Sequence, residues 1–192
     1  ARDWATNESP VAEFRKVRAA GEPQAYNTEA YATMAEMGWA GVIIPEAQGG
    51  SDFGFMSAGL VVEELGKTLT ASPLVATTIA ASAIILGGSD EQKAKWLPKL
   101  ASGKTVATLA VDEGAHHDPC AIEASVSGGK LSGKKAFVHE AHGADLFVVA
   151  ATDGLYLVEK GDGVTLTTRK LTDQRSHADV AFDGAAAEKL EG

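Results

Sequence analysis

A polar turn near the middle of the chain carries most of the side chains that could do chemistry. It covers residues 112–120, DEGAHHDPC, and follows the apolar segment 105–111. Histidine, aspartate and cysteine side chains can move protons or bind metals. Loops held on rigid elements often carry function, so this turn predicts a ligand site where helical sequence gives way to strand-like sequence.

The same turn gives little support for a metal site. His116, His117, Asp118 and Cys120 are the nearest approach to a ligand cluster, but adjacent histidines on a strand point to opposite faces. The closed set of four ligands typical of structural zinc is not formed by this pattern. Ser176 stands next to His177 in sequence, which is not the geometry of a nucleophile and its base. We predict neither a metal site nor a Ser–His nucleophile.

Charge and composition exclude other classes of protein. A net charge of -9 argues against a nucleic-acid binder, which needs a basic face. The sequence has no run of Lys or Arg that would indicate a site for binding a membrane surface. The apolar segment 69–86 is interrupted by Thr, Ser and Pro, which favours a buried helix over a membrane span. A single cysteine cannot form an internal disulfide and fits a reducing compartment, here the cytoplasm. The chain starts without Met and is expected to be a piece of a longer protein.

Helical patterns fill the first half of the chain. They predict helices over 11–20, from 27 or 28 to 37, from 52 or 54 to 69, from 73 to 87 and from 89 onward. Ser89 and Gln92 have the spacing of a capping box, and Pro98 is expected to end or kink the last helix.

Strand patterns fill the second half and are separated by glycines and charges. We predict strands near 105–111, 121–126, 130–138, 145–151, 154–159, 164–171 and 178–182. The predicted fold is α+β, with an N-terminal α-helical domain over residues 1–103 and a β-barrel or sandwich domain over residues 104–192.

Several short motifs, in this order, resemble one family. They are GWAGVIIPEAQGG at 38–50, EELG at 63–66, GSDEQK at 88–93, WLPKLASG at 96–103, and later Gly133-x-Lys135, Ala144-Asp145, Arg175-Ser176 and V-x-F-D at 180–183. In this order and spacing the sequence resembles the acyl-CoA dehydrogenases, and the likeness covers almost the whole chain.

The resemblance implies a three-part enzyme of fatty acid metabolism with FAD between its β domain and C-terminal helices. In such enzymes a carboxylate removes the α-proton of an acyl-CoA thioester while the β-hydride passes to the flavin, and an electron-transfer protein accepts the electrons. The base lies in the C-terminal domain, so we name no catalytic residue and expect this chain alone to be inactive. Homo- or hetero-oligomers are also implied.

The resemblance also implies which residues meet each ligand. The flavin contacts expected from it are Leu109, Val111, Asp112, His117, Phe137 and His139. His116 and Arg175 are expected to contact the substrate, and Lys134 and Lys135 join Arg175 as candidate cations for the CoA phosphates.

Two positions depart from the family pattern. The usual Thr-Glu-Pro-x-Ala-Gly-Ser-Asp turn is similar to residues 112–118, so Asp112 replaces a hydroxyl, and the usual Trp-Ile-Thr-Asn is similar to residues 137–140, so His139 replaces another. An ionised carboxylate only accepts hydrogen bonds, whereas an imidazole can donate. Our hypothesis is that Asp112 and His139 form a pair that replaces both hydroxyls.

Two other functions are compatible with the same residues. If Asp112 and His139 instead changed after the site lost its flavin contact, the chain would belong to a non-catalytic partner subunit of a heteromeric acyl-CoA dehydrogenase. A flavin oxidase or hydroxylase on the same fold is the other alternative.

Overall fold

The computed structural model describes residues 1–191 and has helices in its first half and strands in its second. Within that range the helices are α1 Arg2–Glu8, α2 Val11–Ala20, α3 Thr28–Glu36, α4 Gly54–Lys67, α5 Leu74–Gly87 and α6 Asp90–Ala101. The strands are β1 Ala107–Ala110, β2 Ser125–Ser127, β3 Lys130–His139, β4 Leu146–Ala151, β5 Gly154–Glu159, β6 Val164–Arg169, β7 His177–Ala186 and β8 Glu188–Lys189. The predicted α+β class is confirmed. The boundary predicted between residues 103 and 104 falls in the α6–β1 connection, and the division into two domains stays a prediction.

Local signals place the helix ends. The Asn27 side chain accepts hydrogen bonds from the backbone N–H groups of Glu29 and Ala30 at the start of α3. Ser89 and Gln92 form the predicted capping box. Pro98 does not end α6, because the helix continues to Ala101, and the alternative outcome, a kink, stays a prediction. Leu97 and Leu100, on either side of the proline, are fully buried, and this packing outweighs the lost N–H.

The strands form two four-stranded sheets within residues 1–191. The first has the order β1-β4-β5-β8, and the second has the order β2-β3-β7-β6. The β1–β4 pair is parallel and every other pair is antiparallel.

Strand β4 is buried on both faces and lies between two layers. Phe147 and Val149 pack in a core shared with the second sheet. Leu146 and Val148 pack in another core that contains residues of α5 and α6. The first sheet is therefore covered by helices on one side and by the second sheet on the other, which explains the continuous apolar run of β4.

Segment 69–86 mostly becomes α5, whose 14 residues are too few for a membrane span. Among the helices of residues 1–191, none combines the length and hydropathy needed to cross a bilayer. Ala80, Ala81 and Ile84 of α5 are fully buried, in line with the predicted packed helix.

The paired glycines of the turn after residue 45 have unequal roles. A Cβ on Gly50 would stand 1.9 Å from the carbonyl oxygen of Ile44, whereas a Cβ on Gly49 would meet nothing within 4 Å. We expect Gly50→Ala to lower the free energy of unfolding by about 3 kcal/mol through steric overlap. Gly49→Ala, at a φ of 81°, is the matched control and should cost about 1 kcal/mol. Urea unfolding of both variants checks this, and equal losses would contradict it.

Candidate functional site

Strand β3 changes the face that it presents halfway along. Leu131 and Lys135 point inward and are fully buried. The register against β7 shifts between Lys135 and Val138, and Phe137, inside this bulge, has a φ of 52°. Val138 therefore takes the inward position and Phe137 is turned out, as β-bulges near ligand sites do.

The bulge lines a cavity that we call the strand cavity, of about 230 Å³, between α5, β1 and β3. Its lining residues are Ala76, Ile79, Thr108, Leu109, Val111, Asp112, His117, Ala136, Phe137, Val138 and His139. All six residues expected to contact a flavin thus lie around one cavity. Their role there stays a proposal.

His139 presents a neutral imidazole to the strand cavity. The Thr108 hydroxyl donates a hydrogen bond of 2.6 Å to the His139 carbonyl oxygen, which ties β3 to β1. The His139 ring stacks on His177 at 4.9 Å between centroids. Burial, followed by the charges of Arg175 and His177, lowers the pKa of His139 to about 4. The ring at pH 7 therefore has one donor and one acceptor nitrogen.

Asp112 is bound by its own turn. Its carboxylate accepts hydrogen bonds from His117 Nδ1 at 2.9 Å and from the backbone N–H of Asp118 at 3.3 Å. Within residues 1–191, Asp112 and His139, the predicted pair, are not hydrogen-bonded to each other. The Asp112 carboxylate is instead bound by the His117 ring. Asp112 and His139 share the cavity without bonding to each other.

Phe137 has a fixed place at the rim of the strand cavity. Its backbone N–H donates to Asp179 at 3.2 Å, and Asp179 accepts from Arg169 Nε at 2.9 Å. The Arg169 guanidinium lies 5.1 Å from the centroid of the Phe137 ring. A cation over an aromatic face stabilises both side chains, so this ring is held although it is 37% exposed.

A second, larger cavity adjoins the first, and we call it the helix cavity. It measures about 420 Å³ and is lined by Phe14, Val62, Leu65, Gly66, Leu69, Thr70, Ser72, Leu74, Val75, His139, Asp173 and Arg175. Its wall is mostly apolar, and half of the lining residues come from α2, α4 and α5. His139 lines both cavities, so this residue lies between them.

Arg175 is held by the protein itself. Its guanidinium donates to the Glu140 carboxylate and to the carbonyl oxygens of Thr70 and Ser72, at 3.2 and 2.8 Å. It thus joins the β7 end to the α4–α5 connection. Its predicted contact with substrate stays a prediction, although its guanidinium is already engaged by these three groups.

Glu140 was not foreseen from the sequence. It is fully buried at a φ of 55°, and its Oε2 has no hydrogen-bond partner within residues 1–191. Burial raises the pKa of Glu140 to about 7, and the charge of Arg175 and its hydrogen bond oppose that rise. Glu140 lines neither cavity, but its Oε1 lies 3.4 Å from Nε2 of His139, which lines both.

Lys135 is not exposed at the surface, whereas a lysine that binds the CoA phosphates has to be accessible to them. Its side chain is fully buried, and Nζ donates to Glu113 at 2.6 Å and to the Val111 carbonyl oxygen at 2.9 Å. Burial disfavours ionisation of Glu113, but the Lys135 bond and two backbone N–H donors outweigh it and hold the pKa of Glu113 low. The period-2 pattern through Leu131 and Gly133 already places Lys135 on the inward face. Of the candidate cations, Lys134 is the exposed one.

The remaining predicted residues lie on the exposed part of the turn. His116 is exposed and lines neither cavity, so its substrate contact stays a prediction. Cys120 is a free, exposed thiol. Across residues 1–191, no group of three or more His, Cys, Asp or Glu side chains is placed to hold a metal ion.

Comparison with known proteins adds evidence from sequence. The family model described as acyl-CoA dehydrogenase, N-terminal domain, matches residues 1–104. FadE27, an acyl-CoA dehydrogenase of Mycobacterium tuberculosis, is 30% identical over 168 residues, which are 84% of this chain and 45% of FadE27.

Solved structures share the whole fold. The ChsE4–ChsE5 complex from Mycobacterium tuberculosis matches with a TM-score of 0.87 and 25% identity, over 100% of this chain and 54% of that one. An acyl-CoA dehydrogenase from Bacillus anthracis, complexed with FAD, matches with a TM-score of 0.81 and 22% identity, over 98% of this chain and 36% of that one. The chain thus spans about half or less of the length of these relatives.

Proposed function

Because the chain belongs to the acyl-CoA dehydrogenase family, we propose that it forms the helical and β parts of a flavin-dependent oxidoreductase acting on an acyl-CoA thioester. The observation that carries this is the convergence of six residues, expected from the family to meet a flavin, on the strand cavity next to an apolar cavity.

The residues of the strand cavity fit a flavin. The isoalloxazine ring is flat and apolar on its faces and has hydrogen-bonding atoms on its edge. Leu109, Val111 and Phe137 supply apolar contact. His139 Nε2 lies 3.4 Å from Glu140 Oε1, so the other ring nitrogen, Nδ1, is the one left to meet a ligand. Asp112 can only accept. The B. anthracis relative, solved with FAD, supports FAD as the cofactor.

When bound, the flavin would supply the acceptor for the hydride lost in α,β-dehydrogenation. The chain's own residues hold, orient and shield the reactants. Leu65, Leu69 and Val75 line the helix cavity, and we propose that they bury the acyl chain and exclude water. His139 at the junction of the two cavities then donates to a polar edge placed there.

A partner subunit is the second candidate function. The observation that favours it is Asp112, whose carboxylate is already bound by His117 and cannot donate as a hydroxyl does. The related ChsE4–ChsE5 structure is of a complex of two named proteins. In such an assembly this chain would support a shared site.

The wider setting is also proposed. We infer a cytoplasmic enzyme of fatty acid metabolism, with the free thiol of Cys120 suited to a reducing compartment. An electron-transfer protein would reoxidise the flavin, and the full-length protein would form homo- or hetero-oligomers.

Absorbance spectra of the full-length protein, before and after a panel of acyl-CoA thioesters, test the proposal. Flavin bands that bleach with one thioester are expected for a dehydrogenase. A protein that stays colourless after incubation with FAD would favour the partner-subunit function, and flavin that no thioester bleaches would contradict dehydrogenation.

Gly66 allows the proposed acyl site to be probed directly. It lines the helix cavity from α4, and a Cβ there would meet nothing within 4 Å, so a larger side chain would extend into the open space. We expect Gly66→Phe to raise the KM for long-chain acyl-CoA thioesters at least tenfold. The KM for short-chain thioesters should change little. Gly59→Phe, on the same helix and also unobstructed, is outside the cavity lining and serves as the control. Equal effects on both chain lengths would contradict the assignment.

A further inference from the structure

The buried lysine Lys135 forms part of the support of the strand cavity. A fully buried lysine is rare unless it is paired, and Lys135 is 0% exposed. Its Nζ reaches the Val111 carbonyl oxygen and the Glu113 carboxylate. Both partners precede the exposed turn, at the point where the chain leaves β1.

The Glu113 carboxylate reaches across to the far end of the same turn. Oε2 accepts from the Glu123 backbone N–H at 2.8 Å, and Oε1 accepts from the Ala124 backbone N–H at 3.0 Å. One carboxylate therefore joins the start of the turn, its end and the interior of β3. We refer to residues 112–124 as the cavity loop.

The cavity loop carries two residues of the strand cavity. Asp112 accepts a hydrogen bond at its carbonyl oxygen from the Ala136 N–H at 2.7 Å, and its carboxylate holds His117. Between residues 114 and 121 every residue is exposed, so this part of the loop has no core of its own. The position of Asp112 and His117 thus depends on what fixes the two ends of the loop.

We propose that Glu113 and Lys135 are positioning residues, which close the cavity loop onto β3 and so set the wall of the strand cavity. The effect on the loop stands on these contacts alone, whereas the effect on flavin binding rests on the proposed function. The two effects can be measured separately.

Cys120 supplies the reporter for the loop. It is exposed and is the single cysteine of these 192 residues, so a nitroxide label can be attached in the full-length protein once cysteines elsewhere are replaced. In Lys135→Met we expect a more mobile label and at least tenfold faster amide exchange at Glu123 and Ala124. Amides of β4, which is buried on both faces, should keep their exchange rates. FAD Kd should rise about tenfold.

The control is Lys67→Met, which removes the lysine of an exposed ion pair on α4. It should leave the label, the two amides and the FAD Kd unchanged. If Lys135→Met does not fold, Glu113→Gln is the alternative variant. It keeps one acceptor oxygen but places an NH2 donor where the second oxygen was, so one of the two amides keeps its bond and the same changes are expected at smaller size.

The outcomes separate the two proposals. The positioning role would be overturned if the label and the two loop amides behaved as in the wild type while amide exchange became faster throughout the protein. Lys135 would then contribute only to the overall stability of the fold. A loosened loop with unchanged FAD Kd would uphold the positioning of the loop and contradict the flavin site proposed beside it.

Discussion

Replacing Arg175 by leucine is expected to lower the free energy of unfolding by about 3–5 kcal/mol at pH 8, because a buried carboxylate loses its counter-charge. Glu140 is fully buried and Arg175 is its ion-pair partner. Chemical denaturation of the variant and the wild type measures the difference. The change also removes the link from the β7 end to the carbonyl oxygens of Thr70 and Ser72.

The pH dependence of this loss has a definite sign. In the wild type the pKa of Glu140 is raised to about 7 from 4.5, so its stabilising contribution is complete below pH 4.5 and is lost as pH rises to about 7. Without Arg175 the pKa should rise further. The wild type then ionises above pH 7 while the variant must keep the proton buried, so the gap between the two proteins widens above pH 7.

Two further variants separate charge from packing. The double variant Arg175→Leu with Glu140→Leu removes both charges and should recover most of the loss. Arg169→Leu breaks an exposed pair with Asp179 and should change the free energy of unfolding little, because water screens such a pair. The prediction would be contradicted if Arg175→Leu lowered the free energy of unfolding no more than Arg169→Leu does, or if its effect did not change with pH. Either result would show that Glu140 is not a buried charge.

Local signals in the sequence were enough to predict most of the fold. Asn27 and Ser89 cap helices with their own neighbours, and the apolar run 146–151 forms β4. Helix α1 and the two-residue strand β8 were not predicted, because each is short and is fixed by contacts elsewhere in the chain. α1 packs on α4, where Arg2 bonds to Glu64, and β8 pairs with β5.

The candidate site was likewise predicted in part. The family resemblance brought six residues to one cavity, but it did not predict what holds them. Glu113 meets Lys135 over 22 positions and Glu140 meets Arg175 over 35. Each pair joins segments that are far apart in the chain, and no pattern of neighbouring residues encodes such long-range pairing.

His139→Ala is expected to weaken FAD binding by the full-length protein about tenfold in Kd, the equivalent of one hydrogen bond of roughly 1.4 kcal/mol. His139 lines both the strand cavity and the helix cavity. It is the candidate replacement for a hydroxyl donor. Titration of the apoprotein with FAD, followed by flavin fluorescence, gives the Kd.

His139→Asn retains a donor in a side chain of similar reach and should recover part of the affinity. His142→Ala is the matched control, since its ring bonds to the Thr168 hydroxyl at 2.9 Å and lines neither cavity. With a pKa of about 4, His139 itself stays neutral from pH 6 to 8. Any change of its contribution over that range would come from Glu140, whose pKa is about 7 and whose Oε1 lies 3.4 Å from His139 Nε2. An unchanged Kd in His139→Ala would mean that this histidine no longer meets a flavin, and the partner-subunit function would then account better for both Asp112 and His139.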